Sequence, residues 1–242
     1  MKKRNKIIIA ILVAVISAIG VATGLYANDY YRAVDVEEYI KSGNGVTVTQ
    51  IDEGYFFDGP GEDKALIFYP GAKVEDTAYA PMMKSLAEQG VDCFLIKMPM
   101  KLAILGANKA NNIRAKYKYD NYYLAGHSLG GAMAANYASE HLNDYSGLFL
   151  LAAYPTKDLT AANFPVVFIY GDNDKVLNRE KLEVGFTIVP SDYKKVEIAG
   201  GNHAQFGAYG AQDGDDTATI TPSPLRILTS TLPKPTKPTK LR

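Results

Sequence analysis

Hydrophobic residues fall along the chain in runs of three kinds, and each kind predicts a different element. The stretch from Ile7 to Ala27 holds no charged residue, and as a helix it spans roughly 30 Å, one hydrocarbon core of a bilayer. Val46 to Ile51 alternates as a half-buried strand does, with Val46, Val48 and Ile51 at its buried positions. A second strand and a turn are expected around Tyr55-Phe56-Phe57, within Glu53 to Lys64. Continuous apolar runs follow at Ala65 to Tyr69, Val91 to Lys97, Tyr122 to Ala125, Gly147 to Ala152 and Val166 to Tyr170, the pattern of strands covered on both faces. Lys194 to Ile198 reads as one more strand.

Helical patterns separate these strands. Ala78 to Gln89 is ended by Gly90 and offers Met82, Met83, Leu86 and Ala87 as an inner face. Lys101 to Lys116 is a second helical stretch, rich in Ala, Leu and Ile. Leu129 to His141 carries Ala132, Ala134, Ala135 and Ala138, small residues that let a helix lie close to a sheet. The alternation predicts the α/β class, with a doubly wound, mostly parallel sheet. Only about a dozen residues join Ala152 to Val166, too few for a helical lid domain.

The predicted organisation has four parts. Residues 1–27 are a signal anchor or a signal peptide: Lys2, Lys3, Arg4 and Lys6 precede the apolar run and are expected to stay in the cytoplasm, which places the rest of the chain outside. Cleavage is the alternative to anchoring, because Ala22, Gly24 and Ala27 are small residues of the kind that flank a cleavage site. Residues 28–45 are expected to be a polar helix or stalk, 46–220 the main domain, and 221–242 an extended tail containing Pro222, Pro224, Pro233, Pro235 and Pro238.

Composition narrows the chemistry. Twenty-six basic residues balance twenty-six acidic ones, so no global charge points to a nucleic-acid partner. The single cysteine, Cys93, excludes an intrachain disulfide and lies in an apolar run, as inert structural thiols do. The three histidines show no metal-ligand spacing, and no metal or cofactor is expected.

The candidate chemistry centres on Gly126-His127-Ser128-Leu129-Gly130, which has Gly-x-Ser-x-Gly spacing between a strand and a helix. That context makes Ser128 a candidate nucleophile on a tight turn, near a helix N-terminus whose free amides favour developing negative charge. The amide of Leu129 is one predicted oxyanion donor. The Pro70-Gly71-Ala72-Lys73 turn after the strand Ala65 to Tyr69 supplies the second, the amide of Ala72. Two later strands deliver Gly171-Asp172-Asn173-Asp174 and Gly200-Gly201-Asn202-His203 into loops. His127 adjoins the nucleophile on the same turn and His141 lies at the far end of the next helix, which leaves His203 as the candidate base.

Together these motifs resemble the α/β-hydrolase fold superfamily over roughly residues 46 to 216, whose order of serine, acid and histidine they share. More narrowly, Tyr69-Pro70-Gly71-Ala72-Lys73-Val74-Glu75, Lys97-Met98-Pro99 and Asn202-His203-Ala204-Gln205-Phe206-Gly207 resemble bacterial extracytoplasmic hydrolases of the α/β-hydrolase family 5 type. That resemblance implies a minimal α/β-hydrolase fold behind an N-terminal membrane-targeting helix, and selects Asp174 over Asp172 as the triad acid. Asp172 keeps the alternative role of capping the turn. No counterpart of the superfamily's closing helix is expected in the proline-rich 221–242.

The resulting expectation is a carboxylesterase-like serine hydrolase with Ser128, Asp174 and His203 as triad and Ala72 and Leu129 as oxyanion donors. An acyltransferase using the same triad and a non-catalytic binding protein on the same fold are the alternatives. The expected partners are a small or surface-presented acyl substrate and, through the N-terminal segment, a membrane.

Overall fold

The structure is a computed structural model that describes residues 3–220. It divides into two compact units, one running to Tyr30 and the other starting at Tyr31. The first contains helix α1 (Lys3–Asn28), in which Ile11–Asn28 has a mean hydropathy of 1.9 and no buried residue. Its length and composition suit a membrane anchor and a signal sequence equally.

The second unit is built on one sheet of eight strands: β1 (Thr47–Ile51), β2 (Gly54–Asp58), β3 (Lys64–Tyr69), β4 (Asp92–Ile96), β5 (Asn121–His127), β6 (Gly147–Leu151), β7 (Val166–Gly171) and β8 (Lys194–Ile198). Their spatial order is β1-β2-β4-β3-β5-β6-β7-β8. The β1–β2 hairpin is antiparallel and adds antiparallel to β4, and every later pairing is parallel. Alternate residues of each strand feed opposite faces, which is why the sequence runs are apolar throughout. Ile67, Phe94, Leu124 and Phe168 face helices α3 (Lys109–Lys116), α4 (Leu129–Ala138) and α5 (Arg179–Phe186) through Ile113, Ala134, Ala135 and Leu182. Leu66, Phe68, Leu95 and Phe149 face α2 (Ala80–Glu88) through the expected Met82, Met83, Leu86 and Ala87. Cys93 lies fully buried on that second face.

Three segments differ from the sequence reading. Residues 31–45 form no helix; Tyr31 makes a parallel bridge with Val74, Val36 is buried, and the Lys84 ammonium donates to the carbonyls of Glu38 and Lys41 at 3.0 and 2.7 Å. Polar composition there conceals a strap several of whose backbone groups are bonded to the domain rather than within a helix. The helix expected over 101–116 begins only at Lys109, after two 3₁₀ turns, Pro99–Lys101 and Ala103–Leu105. Met100 and Lys101 take φ of +49° and +56°, and the Lys101 carbonyl accepts the Lys73 N–H at 3.0 Å, so a tertiary bond overrides local helical preference. Helix α5 has no counterpart in the sequence pattern; Asn178 caps it by accepting the Lys181 N–H at 2.9 Å.

No lid helix lies between β6 and β7, and among the described residues no α-helix follows β8. The expected tail, 221–242, lies outside the described residues.

Candidate active site

Ser128 sits between the end of β5 and the start of α4 with φ +52° and ψ −126°, a backbone state that L-residues rarely hold. The turn persists because its neighbours leave no other path. A Cβ on Gly130 would stand 2.2 Å from the carbonyl oxygens of both Tyr69 and Pro70, so the helix start and the end of β3 are in backbone contact. The Ser128 N–H donates to the Leu151 carbonyl at 2.9 Å, and the side chain is half-buried at the carboxyl edge of the parallel sheet.

The loops after β7 and β8 meet at the same edge. A Cβ on Gly171 would lie 2.1 Å from the Gly201 carbonyl oxygen, so these two chains also touch backbone to backbone. From them Asp174 (3% exposed) and His203 (1%) come together, with Asp174 Oδ2 2.8 Å from His203 Nδ1. The carboxylate accepts, so Nδ1 carries the proton. The other oxygen, Asp174 Oδ1, accepts the N–H groups of Val176 and Leu177 at 2.9 and 2.8 Å. Every face of this carboxylate is therefore committed. His203 Nε2 is buried and has no hydrogen-bond partner among the described residues, so no hydrogen bond joins it to Ser128 in this structure.

Asp172 does something else. Its Oδ1 accepts the Gly200 N–H at 2.6 Å, tying the acid loop to the histidine loop from outside. His141 donates Nδ1–H to the Tyr137 carbonyl at 2.8 Å, on α4's far end. Cys93 points its thiol at the Val91 carbonyl, 3.1 Å away, and burial pushes its pKa well up.

The predicted oxyanion loop follows β3. Gly71 donates its N–H to the Tyr79 hydroxyl at 3.1 Å, and that hydroxyl lies 2.8 Å from His127 Nδ1. Among the described residues, the N–H groups of Ala72 and Leu129 donate to no acceptor. Burial, and then the neighbouring His203, hold the His127 pKa well below its ordinary value, so this imidazole is neutral.

Two contributors escaped the sequence reading. Tyr79 sits in an apolar helical pattern, where nothing marks its hydroxyl as used. Asp215 accepts the Ala204 N–H at 2.9 Å and the Lys175 N–H at 3.2 Å, joining the two loops; only the acidic run Asp213 to Asp216, just after the histidine loop, hinted at it. A cavity of about 560 Å³ lies behind the histidine loop, lined in part by Ala78, Met82, Ala204 and Phe206 but by none of Ser128, Asp174 or His203. No cluster of His, Cys, Asp or Glu able to hold a metal ion occurs among the described residues.

An eight-stranded, mostly parallel sheet with this strand order and a serine on its strand-to-helix elbow defines the α/β-hydrolase fold. Comparison with family models agrees, matching residues 65–226, and the chain belongs to the alpha/beta hydrolase family. A comparison with curated proteins found no match. Solved structures share the fold at low identity. A membrane phospholipase A described as a bacterial virulence factor is 15% identical, with a TM-score of 0.56, over 84% of this chain and 92% of that one. A predicted CIB-like hydrolase from Thermoplasma acidophilum is 11% identical, with a TM-score of 0.56, over 67% and 91%. An alpha/beta hydrolase enzyme from a lagoon-sediment metagenome is 18% identical, with a TM-score of 0.54, over 66% and 90%. The family gives this chain a hydrolase-type activity.

Proposed function

We propose that the chain is a serine hydrolase acting on an ester or related acyl substrate. The observation that carries this reading is the buried Asp174–His203 pair, 2.8 Å apart, delivered to the sheet edge where Ser128 occupies its strained turn. In the proposed reaction Ser128 Oγ attacks the carbonyl carbon while His203 Nε2 takes its proton. The tetrahedral oxyanion is held by the N–H groups of Ala72 and Leu129, each worth about 3 kcal/mol in the transition state. Collapse breaks the bond to the alcohol, which leaves with the proton from Nε2. Water, deprotonated by His203, then attacks the acyl-enzyme and releases the acid, returning the proton to Ser128. Asp174 keeps the imidazole in the required tautomer and stabilises its cation.

Half-buried Ser128, with no lid between β6 and β7, favours a small or surface-presented acyl group over a long chain held in a tunnel. In this reading α1 brings the enzyme to a membrane, with the catalytic domain on the extracytoplasmic side. The test is labelling of the full chain, in detergent, with a fluorophosphonate. Stoichiometric labelling is expected for the wild type and none for Ser128→Ala, with His203→Ala reacting far more slowly. A folded wild type that takes no probe would sink the reading, and product analysis with added alcohols would separate hydrolysis from acyl transfer.

A further inference from the structure

We propose that Tyr79 and His127 are positioning residues for the oxyanion loop: the Tyr79 hydroxyl, braced by His127, takes the Gly71 N–H and leaves the Ala72 N–H as the donor for the substrate oxygen. The inference rests on the serine hydrolase reading and extends it to two side chains that touch no substrate.

Tyr79 ends the 3₁₀ turn that leads into α2 and is wholly buried, its ring 4.9 Å from that of Phe68. A buried hydroxyl must find its partners within the protein. The Gly71 N–H can only donate, so the hydroxyl accepts it at 3.1 Å and has its own hydrogen left for His127 Nδ1 at 2.8 Å. In the proposed arrangement the chain runs from Gly71 through Tyr79 to His127 and the His127 proton sits on Nε2, which is buried without a hydrogen-bond partner among the described residues. Contact among the three groups is close: a Cβ on Gly71 would stand 2.8 Å from His127 Nδ1 and 3.0 Å from the Tyr79 oxygen.

Two consequences bear on catalysis. Because the Gly71 N–H is consumed, the next amide along the chain, that of Ala72, is the one left to face a developing oxyanion. The His127 ring also lies 4.6 Å from the His203 ring, so a charge on it would oppose the imidazolium that forms there during attack. Holding Nδ1 as an acceptor keeps that neighbour neutral.

The experiment compares Tyr79→Phe, His127→Leu and His127→Asn in the full chain. Asn places an acceptor oxygen near the position of Nδ1, whereas Leu fills the space without one. Turnover is counted per phosphonate-reactive site, so misfolded protein does not enter the rate. Expected are a kcat lowered between about 10- and 100-fold with KM little changed in Tyr79→Phe and His127→Leu, and recovery to within about threefold in His127→Asn, since a loop displaced by 1 Å costs about 10²-fold. Amide exchange at Gly71 should accelerate in the two damaging variants and not in His127→Asn. Unchanged kcat per site, or unchanged Gly71 exchange in Tyr79→Phe, overturns the proposal. A lower melting temperature with kcat per site intact also overturns it, because that is a packing role only. If the wild type takes no probe, the hydrolase reading fails, while Gly71 exchange still decides whether Tyr79 holds the loop.

Discussion

Replacing Asp174 with Asn removes a charge while nearly preserving shape, and the hydrogen bonds around the side chain decide the outcome. Two backbone donors, from Val176 and Leu177, point at Oδ1 from 2.9 and 2.8 Å, so the amide oxygen stays there. The NH₂ group must then occupy the position of Oδ2, 2.8 Å from His203 Nδ1. It meets that nitrogen as a donor, and a neutral imidazole can accept only by moving its proton to Nε2. His203 is thereby locked in the tautomer that cannot take a proton from Ser128. In the serine proteases the same carboxylate-to-amide change leaves the geometry intact and lowers turnover about 10⁴-fold, which is about 5.5 kcal/mol of transition-state stabilisation. Both partners here are almost fully buried, at 3% and 1% exposure, so solvent cannot supply a substitute acceptor. The expected result is a kcat near 10⁻⁴ of wild type by that analogy, KM within a few-fold, and a melting temperature little changed because both backbone bonds survive. The assay is ester hydrolysis from about pH 6 to 9, beside phosphonate labelling of the same samples. A folded variant that keeps more than about a tenth of wild-type turnover would refute the tautomer argument.

Other expectations follow from contacts elsewhere in the fold. Gly171→Ala must push the acid loop about 1 Å away from the backbone of Gly201; urea titration should show a loss of about 3 kcal/mol and turnover a drop of about 10²-fold, and a neutral result in both would contradict the packing described. Burial raises the Cys93 thiol and the Tyr69 and Tyr79 phenols, so the unfolded chain loses these protons first as pH rises, from about 8.5 for the thiol and about 10 for the phenols. Their contribution is complete at neutral pH and is lost on the alkaline side, so urea midpoints should fall above about pH 8.5; midpoints flat to about pH 11 would be the contrary result. In the native protein Cys93 should ignore a thiol-reactive disulfide that modifies it promptly in urea. Lys84→Met frees the carbonyls of Glu38 and Lys41 and should cost about 2 kcal/mol, with new protease cleavage between residues 37 and 45 as its signature.

What could be read in advance was whatever depends on side chains close in sequence. The five buried strands announced themselves because a parallel strand must satisfy two apolar faces, and the elbow did so because its glycines and serine sit within five residues. Pairing Asp174 with His203 required the resemblance, since two acids stood in the same loop and only tertiary geometry separates the one that meets an imidazole from the one that caps Gly200. The failures share a cause. Residues 31–45 and the turn before α3 are bonded to backbone groups remote in sequence, and Tyr79 joins the Gly71 N–H in the neighbouring loop to the His127 side chain; such bonds leave no periodicity. Met100 and Lys101 sit in a stretch of good helix formers, yet they take a left-handed turn whose Lys101 carbonyl is bonded to the Lys73 N–H.

The strap that opens the domain has a consequence for how the chain is made. Tyr31 is among the first domain residues to be synthesised, yet its hydroxyl accepts the N–H of Asp213, 182 residues later, and the Val34 N–H goes to the carbonyl of Ala208. These bonds cannot close until nearly the whole domain has been synthesised, whereas the bridge from Tyr31 to Val74 can form once β3 has been made, so the strap is fastened in two stages. A domain stitched in this way keeps its amino end only half fastened until elongation is nearly over. A nascent chain arrested before residue 208 is therefore expected to be more open to proteases at 34–36 than the full chain, even with its central strands already paired.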